Sequence, residues 1–271
     1  MIQQNLLQHY IQFPHSHPIL VDVYQISEHK NSIIMLPALG VPIQKYEKLI
    51  QSLIQQGFNV IAADYPGCGR NTPQVSSDFD FGYADLLAYF IPQLVKIAKD
   101  LSKKTPVLFG HSLGGHLATL LAQHHTIHVI GVATGNIGLK YWNISGKFNI
   151  LKAATIFNLM ILKDGYLAGD KVGFGKKEAK TLMRDWSKVI FTGHYRHIIS
   201  EENLSQQPAL FIQFVQDSFA PMRSTLALSR YFKDAQVKQL DLTASLKGNQ
   251  HSVWLKQPEK VVELVKDFLQ V

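Results

Sequence analysis

Ser32-Ile33-Ile34-Met35-Leu36 is an unbroken apolar run stopped by Pro37, the pattern of a strand buried on both faces. Beyond it, Ile43, Tyr46, Leu49, Ile50, Leu53 and Ile54 recur at helical spacing with Gly57 as a C-cap, which predicts a helix over 43–56. Asn59 to Asp64 reads as the next strand, followed by the turn Pro66-Gly67-Cys68-Gly69. A helical pattern over 81–103 follows, in which Pro92 predicts a kink or a break. A strand before Ser112, an Ala-rich helix after it and a strand over 129–133 continue the alternation. Residues 19–24 look like part of an antiparallel hairpin ahead of this series.

The rhythm breaks between about 138 and 205, where aromatic and amphipathic sequence carries no short-strand pattern; we expect a mainly helical cap inserted over the sheet. It resumes with a strand over 209–215, a helix over 222–232, a strand over 237–242 and a final helix over 258–269. This order predicts an α/β fold with a mostly parallel, doubly wound sheet, one domain over 1–271 with the cap as its insertion. Apolar residues at 46% and charged residues at 17% fit such a core. The net charge of +7 is spread thinly, with pairs such as Lys103-Lys104 but no basic run interleaved with aromatics, which argues against a nucleic-acid surface. One cysteine, Cys68, excludes an intrachain disulfide and fits a reducing compartment. Met1 to Asn5 shows no signal-peptide pattern, and the apolar run 148–162, broken by Asn149, Lys152, Thr155 and Asn158, is too short to span a bilayer. The expectation is a cytoplasmic protein without stable membrane insertion, with that run facing the core.

The candidate chemistry sits at Gly110-His111-Ser112-Leu113-Gly114, a G-x-S-x-G between a predicted strand and a predicted helix. A sharp strand-to-helix turn exposes the central side chain, and the glycines let the two backbones pass closely. Ser112 is therefore the candidate nucleophile. A serine needs a base, and the base needs an orienting acid. In an open α/β sheet such groups collect at the carboxyl ends of strands, which selects among 12 histidines and 20 acids by position. Asp217, opening the loop after the strand 209–215, is the candidate acid, with Asp241 as competitor. His251, between the last strand and the last helix, is the candidate base. His111 is set aside because adjacent side chains on a sharp turn diverge, His124, His125 and His128 as residues of a helix end, and His194 and His197 as possible substrate contacts in the insertion. The oxyanion of an acyl-transfer intermediate needs two donors. The backbone N–H groups of Leu113, after the nucleophile, and Leu39, in the loop Pro37 to Pro42, are the candidates.

The elbow at Ser112, the turn Asp64 to Gly69, the Asp217-x-x-Ala220-Pro221 loop and the late His251 resemble the α/β-hydrolase fold superfamily over essentially the whole chain. More narrowly, Pro37 to Pro42, Gly110 to His116 and Gly165-Tyr166-Leu167 resemble a little-characterised bacterial group of predicted hydrolases related to serine aminopeptidases and esterases. The resemblance implies Ser112 as nucleophile, Asp217 as acid and His251 as base, with no metal or organic cofactor. Pro37-Ala38 stands where His-Gly is usual in the superfamily, and Gln250 where a glycine often precedes the histidine. The expected activity is that of a serine hydrolase, foremost a carboxylesterase on a small to medium apolar ester. Aminopeptidase, amidase and thioesterase activity, or a non-catalytic binding role, are the alternatives.

Overall fold

In the computed structural model, which describes residues 5–270, ten strands and eight helices alternate largely as the apolar pattern predicts. Met1 to Gln4, on which the signal-peptide reading partly rests, lie outside the described residues. β1 (Asn5–Ile11) and β2 (Ile19–Gln25) form an antiparallel hairpin, and β2 pairs antiparallel with β4 (Asn59–Ala62). β3 (Ser32–Leu36), β5 (Val107–His111), β6 (His128–Val132), β9 (Ala209–Phe214) and β10 (Ala235–Leu240) continue in parallel, giving the order β1-β2-β4-β3-β5-β6-β9-β10. The parallel direction puts the loops after β3, β5, β6, β9 and β10 on one edge. That edge therefore collects Leu39, Ser112, Asp217 and His251.

Every residue of β3, β4, β5 and β9 is buried, because helices cover both faces of the sheet. One face packs on α2 (Tyr83–Asp85), α3 (Ile91–Leu101) and α4 (Leu113–Leu121), with Leu86, Phe90, Leu94 and Leu117 in its core. The other packs on α1 (Glu47–Gln55) and α8 (Glu259–Leu269), around Leu49, Leu53, Phe109, Trp254 and Val265. α7 (Met222–Ser229) lies between β9 and β10.

Three details differ from expectation. The helix over 43–56 opens with a 3-10 turn over Ile43–Tyr46, and Gln56 rather than Gly57 is its C-cap. Pro92 does not end the helical run, which continues over 83–101: a π turn over Leu86–Phe90 precedes it, and Pro92 is the second residue of α3. Asp241 lies one residue past β10, exposed, where its carboxylate accepts hydrogen bonds from Thr243.

Between β6 and β9 the chain leaves the sheet. It forms α5 (Ile144–Asp164), a two-residue hairpin of β7 (Leu167–Ala168) and β8 (Lys177–Glu178), and α6 (Lys180–Thr192). α5 starts where Asn143 Oδ1 accepts from the Gly146 N–H at 2.8 Å and ends at Gly165 in the left-handed region, φ +76°. Its inner side chains, Phe157 and Ile161, pack with Met183 of α6 and Leu167 of β7. No helix of the described residues is long and apolar enough to cross a membrane.

The first turn of α4 lies directly on β3. A Cβ at Gly114 would stand 2.0 Å from the Leu36 carbonyl oxygen and 2.6 Å from its carbon, backbone that has nowhere to move. Gly114→Ala is expected to lower the stability of the fold by about 3 kcal/mol in urea unfolding, the upper range for overpacking a core. A loss below about 0.5 kcal/mol would show that the contact yields freely.

Candidate active site

Ser112 is the hinge between β5 and α4. Its backbone sits at φ +52°, ψ −111°, strained for a residue with a side chain. Two constraints hold it there. A Cβ at Gly110 would meet the Gly114 carbonyl at 2.3 Å, so strand and helix can approach this closely only with glycine. The Ser112 N–H donates to the Val132 carbonyl at 3.1 Å, and the Ser112 carbonyl accepts from Thr134 Oγ1 at 2.7 Å. Thr134 is fixed in turn, its carbonyl accepting from Thr225 Oγ1 at 2.8 Å. The positive end of the α4 dipole then points past the hydroxyl.

Asp217 and His251 meet. His251 Nδ1 lies 2.9 Å from Asp217 Oδ2 and 3.1 Å from Oδ1, so the ring donates its Nδ1–H to the carboxylate and leaves Nε2 with its lone pair. The Asp217 side chain is buried, and Oδ1 also accepts from the N–H groups of Phe219 at 2.9 Å and Ala220 at 3.1 Å, which fixes its rotamer. The His251 backbone is pinned from three sides. Its N–H donates to Asn249 Oδ1 at 3.1 Å, and its carbonyl accepts from Trp254 Nε1 at 3.1 Å and His111 Nε2 at 2.9 Å. Gln250 holds the loop from within, donating to the carbonyls of Leu246 and Gly248. The His251 ring lies 5.2 Å from the His111 ring, centroid to centroid, which seats it beside the residue preceding Ser112.

The His111 side chain is expected to diverge from that of Ser112. It does diverge, and it turns into the core to tie two loops together. The carbonyl of His251 can only accept, so His111 carries its proton on Nε2, and Nδ1 accepts from the Tyr46 hydroxyl at 2.8 Å. That hydroxyl accepts in turn from the Ala38 N–H at 2.7 Å. A continuous chain therefore runs from the loop of Leu39 through Tyr46 and His111 to the backbone of His251. Burial drops His111 to about 3, so the ring stays neutral and the chain keeps one polarity. His116, buried between the Tyr83 hydroxyl and the Gly135 carbonyl, is likewise dropped to about 4. Tyr46 shows in the sequence only as one apolar position of a helical stripe; no local signal announces its hydroxyl, whose partner is 65 residues away.

The N–H groups of Leu39 and Leu113 donate to no acceptor among the described residues. Tyr65 steadies the loop of Leu39 by donating to the Pro37 carbonyl at 3.0 Å. Glu178 closes over it from β8: a Cβ at Gly40 would lie 2.7 Å from Glu178 Oε1. Cys68 lies in a turn where burial pushes its thiol up, away from the reactive thiolate. His197 is taken up by α6, its Nε2 donating to the Asp185 carbonyl at 3.1 Å. Among the described residues no group of three or more His, Cys, Asp or Glu is placed to hold a metal ion.

The model of the alpha/beta hydrolase fold family matches residues 31–160, which include the elbow. An archaeal carboxylesterase structure, from Nitrososphaera gargenis, superposes over 97% of this chain and 98% of its own with a TM-score of 0.67 at 15% identity. The chain has the α/β-hydrolase fold. Among curated proteins, human Protein ABHD14A is 30% identical over 104 residues, covering 37% of this chain and 36% of the relative. Bovine Protein ABHD8 is 24% identical over 257 residues, covering 88% of this chain and 55% of the relative. The chain thus spans about a third to about half the length of the curated relatives it matches.

Two outcomes test this arrangement. Tyr46→Phe strands the Ala38 N–H and His111 Nδ1 in the core and is expected to lower stability by about 1–3 kcal/mol in urea unfolding; an unchanged midpoint would show that the chain of hydrogen bonds carries no weight. Burial also raises the Glu178 carboxyl from 4.5 to about 8. Between those values the unfolded chain releases a proton that the folded chain keeps, so stability falls as pH rises through the window and the loss is complete above it. Glu178→Gln does not titrate, so its Tm relative to the parent is expected to climb by about 3 °C or more between about pH 5 and pH 9. A difference that stays flat with pH would mean that Glu178 ionises normally.

Proposed function

We propose that the protein is a serine hydrolase working by acyl transfer, foremost a carboxylesterase on a small to medium apolar ester. The observation that carries this reading is the His251 ring, held through Nδ1 by the buried Asp217 carboxylate and seated 5.2 Å from the ring of His111, the residue before the strained Ser112. In this reading Nε2 takes the Ser112 proton as Oγ attacks the substrate carbonyl. Asp217 keeps the tautomer and stabilises the imidazolium that forms. The oxyanion lies between the free N–H groups of Leu113 and Leu39. The imidazolium returns its proton to the leaving group, and a water activated by the same nitrogen releases the acyl group. The segment 138–205 is the cap, its aromatic side chains favouring an apolar group.

The aminopeptidase alternative wants a free carboxylate for a substrate amine. Of the pair Glu201-Glu202, Glu202 is already engaged, accepting from the Tyr195 N–H at 2.6 Å and the Tyr231 hydroxyl at 2.7 Å. The single cysteine fits a cytoplasmic setting.

With a short-chain p-nitrophenyl ester, Ser112→Ala is expected to lose at least about 10⁴-fold in kcat, and Asp217→Asn about 10³–10⁴-fold with KM little changed. A Ser112→Ala protein that hydrolyses the ester at the parent's rate would overturn the assignment.

A further inference from the structure

α5 breaks the rule that a surface helix is apolar on one side only. Its inner face is apolar, with Ile150, Ala154, Phe157 and Ile161 buried. Its outer face is apolar as well. Ile144, Phe148, Leu159 and Leu162 are 88%, 68%, 60% and 74% exposed. At 100° per residue all four fall within roughly 60° around the helix, centred about 140° from the middle of the buried row. A helix that is apolar all round is normally buried all round. This one leaves two apolar pairs facing water, Ile144 with Phe148 and Leu159 with Leu162, along a line about 30 Å long with the exposed Thr155 between them.

Charge decides what this face fits. Lys147 flanks it on one side and Lys152 and Lys163 on the other, all three exposed. The 138–205 segment holds eleven Lys and Arg against six Asp and Glu, so a quarter of the chain carries five of its seven net positive charges. Its acids are mostly withdrawn from the surface. Glu178 and Asp185 are buried, Asp164 pairs with Lys171 at 3.5 Å, and Glu202 accepts from Tyr195 and Tyr231. A second copy packed on this face would set lysines against lysines. An apolar face edged by lysines matches the boundary between acyl chains and anionic headgroups, where a helix lies in the plane with its stems snorkelling outward.

We propose that the outer face of α5 docks the protein reversibly on anionic phospholipid bilayers, without a spanning segment. The run 148–162 faces the core, as expected, through Ile150, Ala154, Phe157 and Ile161; the exposed row on its other side is the proposed docking surface. The inference stands independently of the chemistry at Ser112.

The test is co-sedimentation of the whole protein with vesicles of phosphatidylcholine alone and of an equimolar mixture with phosphatidylglycerol. The parent is expected to pellet with the mixed vesicles at low salt, to stay in the supernatant with phosphatidylcholine, and to be released by about 0.5 M NaCl. Phe148→Ser with Leu159→Ser is expected to bind at least about tenfold more weakly. Lys147→Gln, Lys152→Gln and Lys163→Gln together are expected to lose about 100-fold. All these side chains are exposed, so an unchanged Tm and circular dichroism spectrum certify that the variants fold. The proposal is overturned if the parent stays in the supernatant with mixed vesicles, or pellets equally with both kinds. It also fails if the serine double variant binds as tightly as the parent, or if the parent is a dimer that this variant dissolves, since a second copy would then cover the face.

Discussion

The contact on which the rest of the site depends is between two backbones: the first turn of α4 seated on the carbonyl of Leu36. Side chains at 110 or 114 would hold helix and strand apart, and the turn between them would relax. With glycine at both, α4 begins immediately after β5, and Ser112 has no room for an ordinary extended or helical backbone. Its positive φ follows from the packing and projects the side chain above the sheet edge. The strain is stored locally and held by buried hydrogen bonds from Thr134 and to Val132.

The same edge shows how neutral buried groups can organise charged ones. His111 and His116 are stripped of water and dropped far below the range in which histidine titrates at neutral pH. Neither competes with His251 for a proton or repels the imidazolium that the proposed mechanism forms. His111 serves as a rigid two-ended connector instead, with Tyr46 and the loop of Leu39 at one end and the His251 carbonyl at the other. The positions of the proposed base and of one proposed oxyanion donor are thereby set by one hydrogen-bonded chain, although the two residues lie on loops at strands β3 and β10.

Much of the fold is legible in the sequence because the parallel strands are buried on both faces. Runs such as 32–36, 107–109 and 209–212 have no polar face to disguise them, and the loops that follow them name one edge. Ser112, Asp217 and His251 can be picked from that rule alone, and the structure brings the last two into hydrogen-bond contact. Other features leave no local trace. The β7–β8 hairpin is two residues wide, below any periodicity. The π turn before Pro92 leaves the apolar spacing of the helix unchanged and so has no signature in the sequence. Tyr46 and His111 are separated in the chain, so the sequence shows an apolar stripe and a discarded histidine where the fold makes a bridge. α5 is ambiguous for a different reason: with apolar residues on every side, its sequence cannot say which row the fold covers.

The central claim is that the turn at Ser112 activates this one hydroxyl. Fluorophosphonate labelling of the folded protein, with the modified peptide identified by mass spectrometry, tests it most directly. The account predicts a single adduct on Ser112 in the parent, slowed by orders of magnitude in His251→Ala and absent from Ser112→Ala. A parent protein that takes no label, or a label that persists in Ser112→Ala, would contradict it.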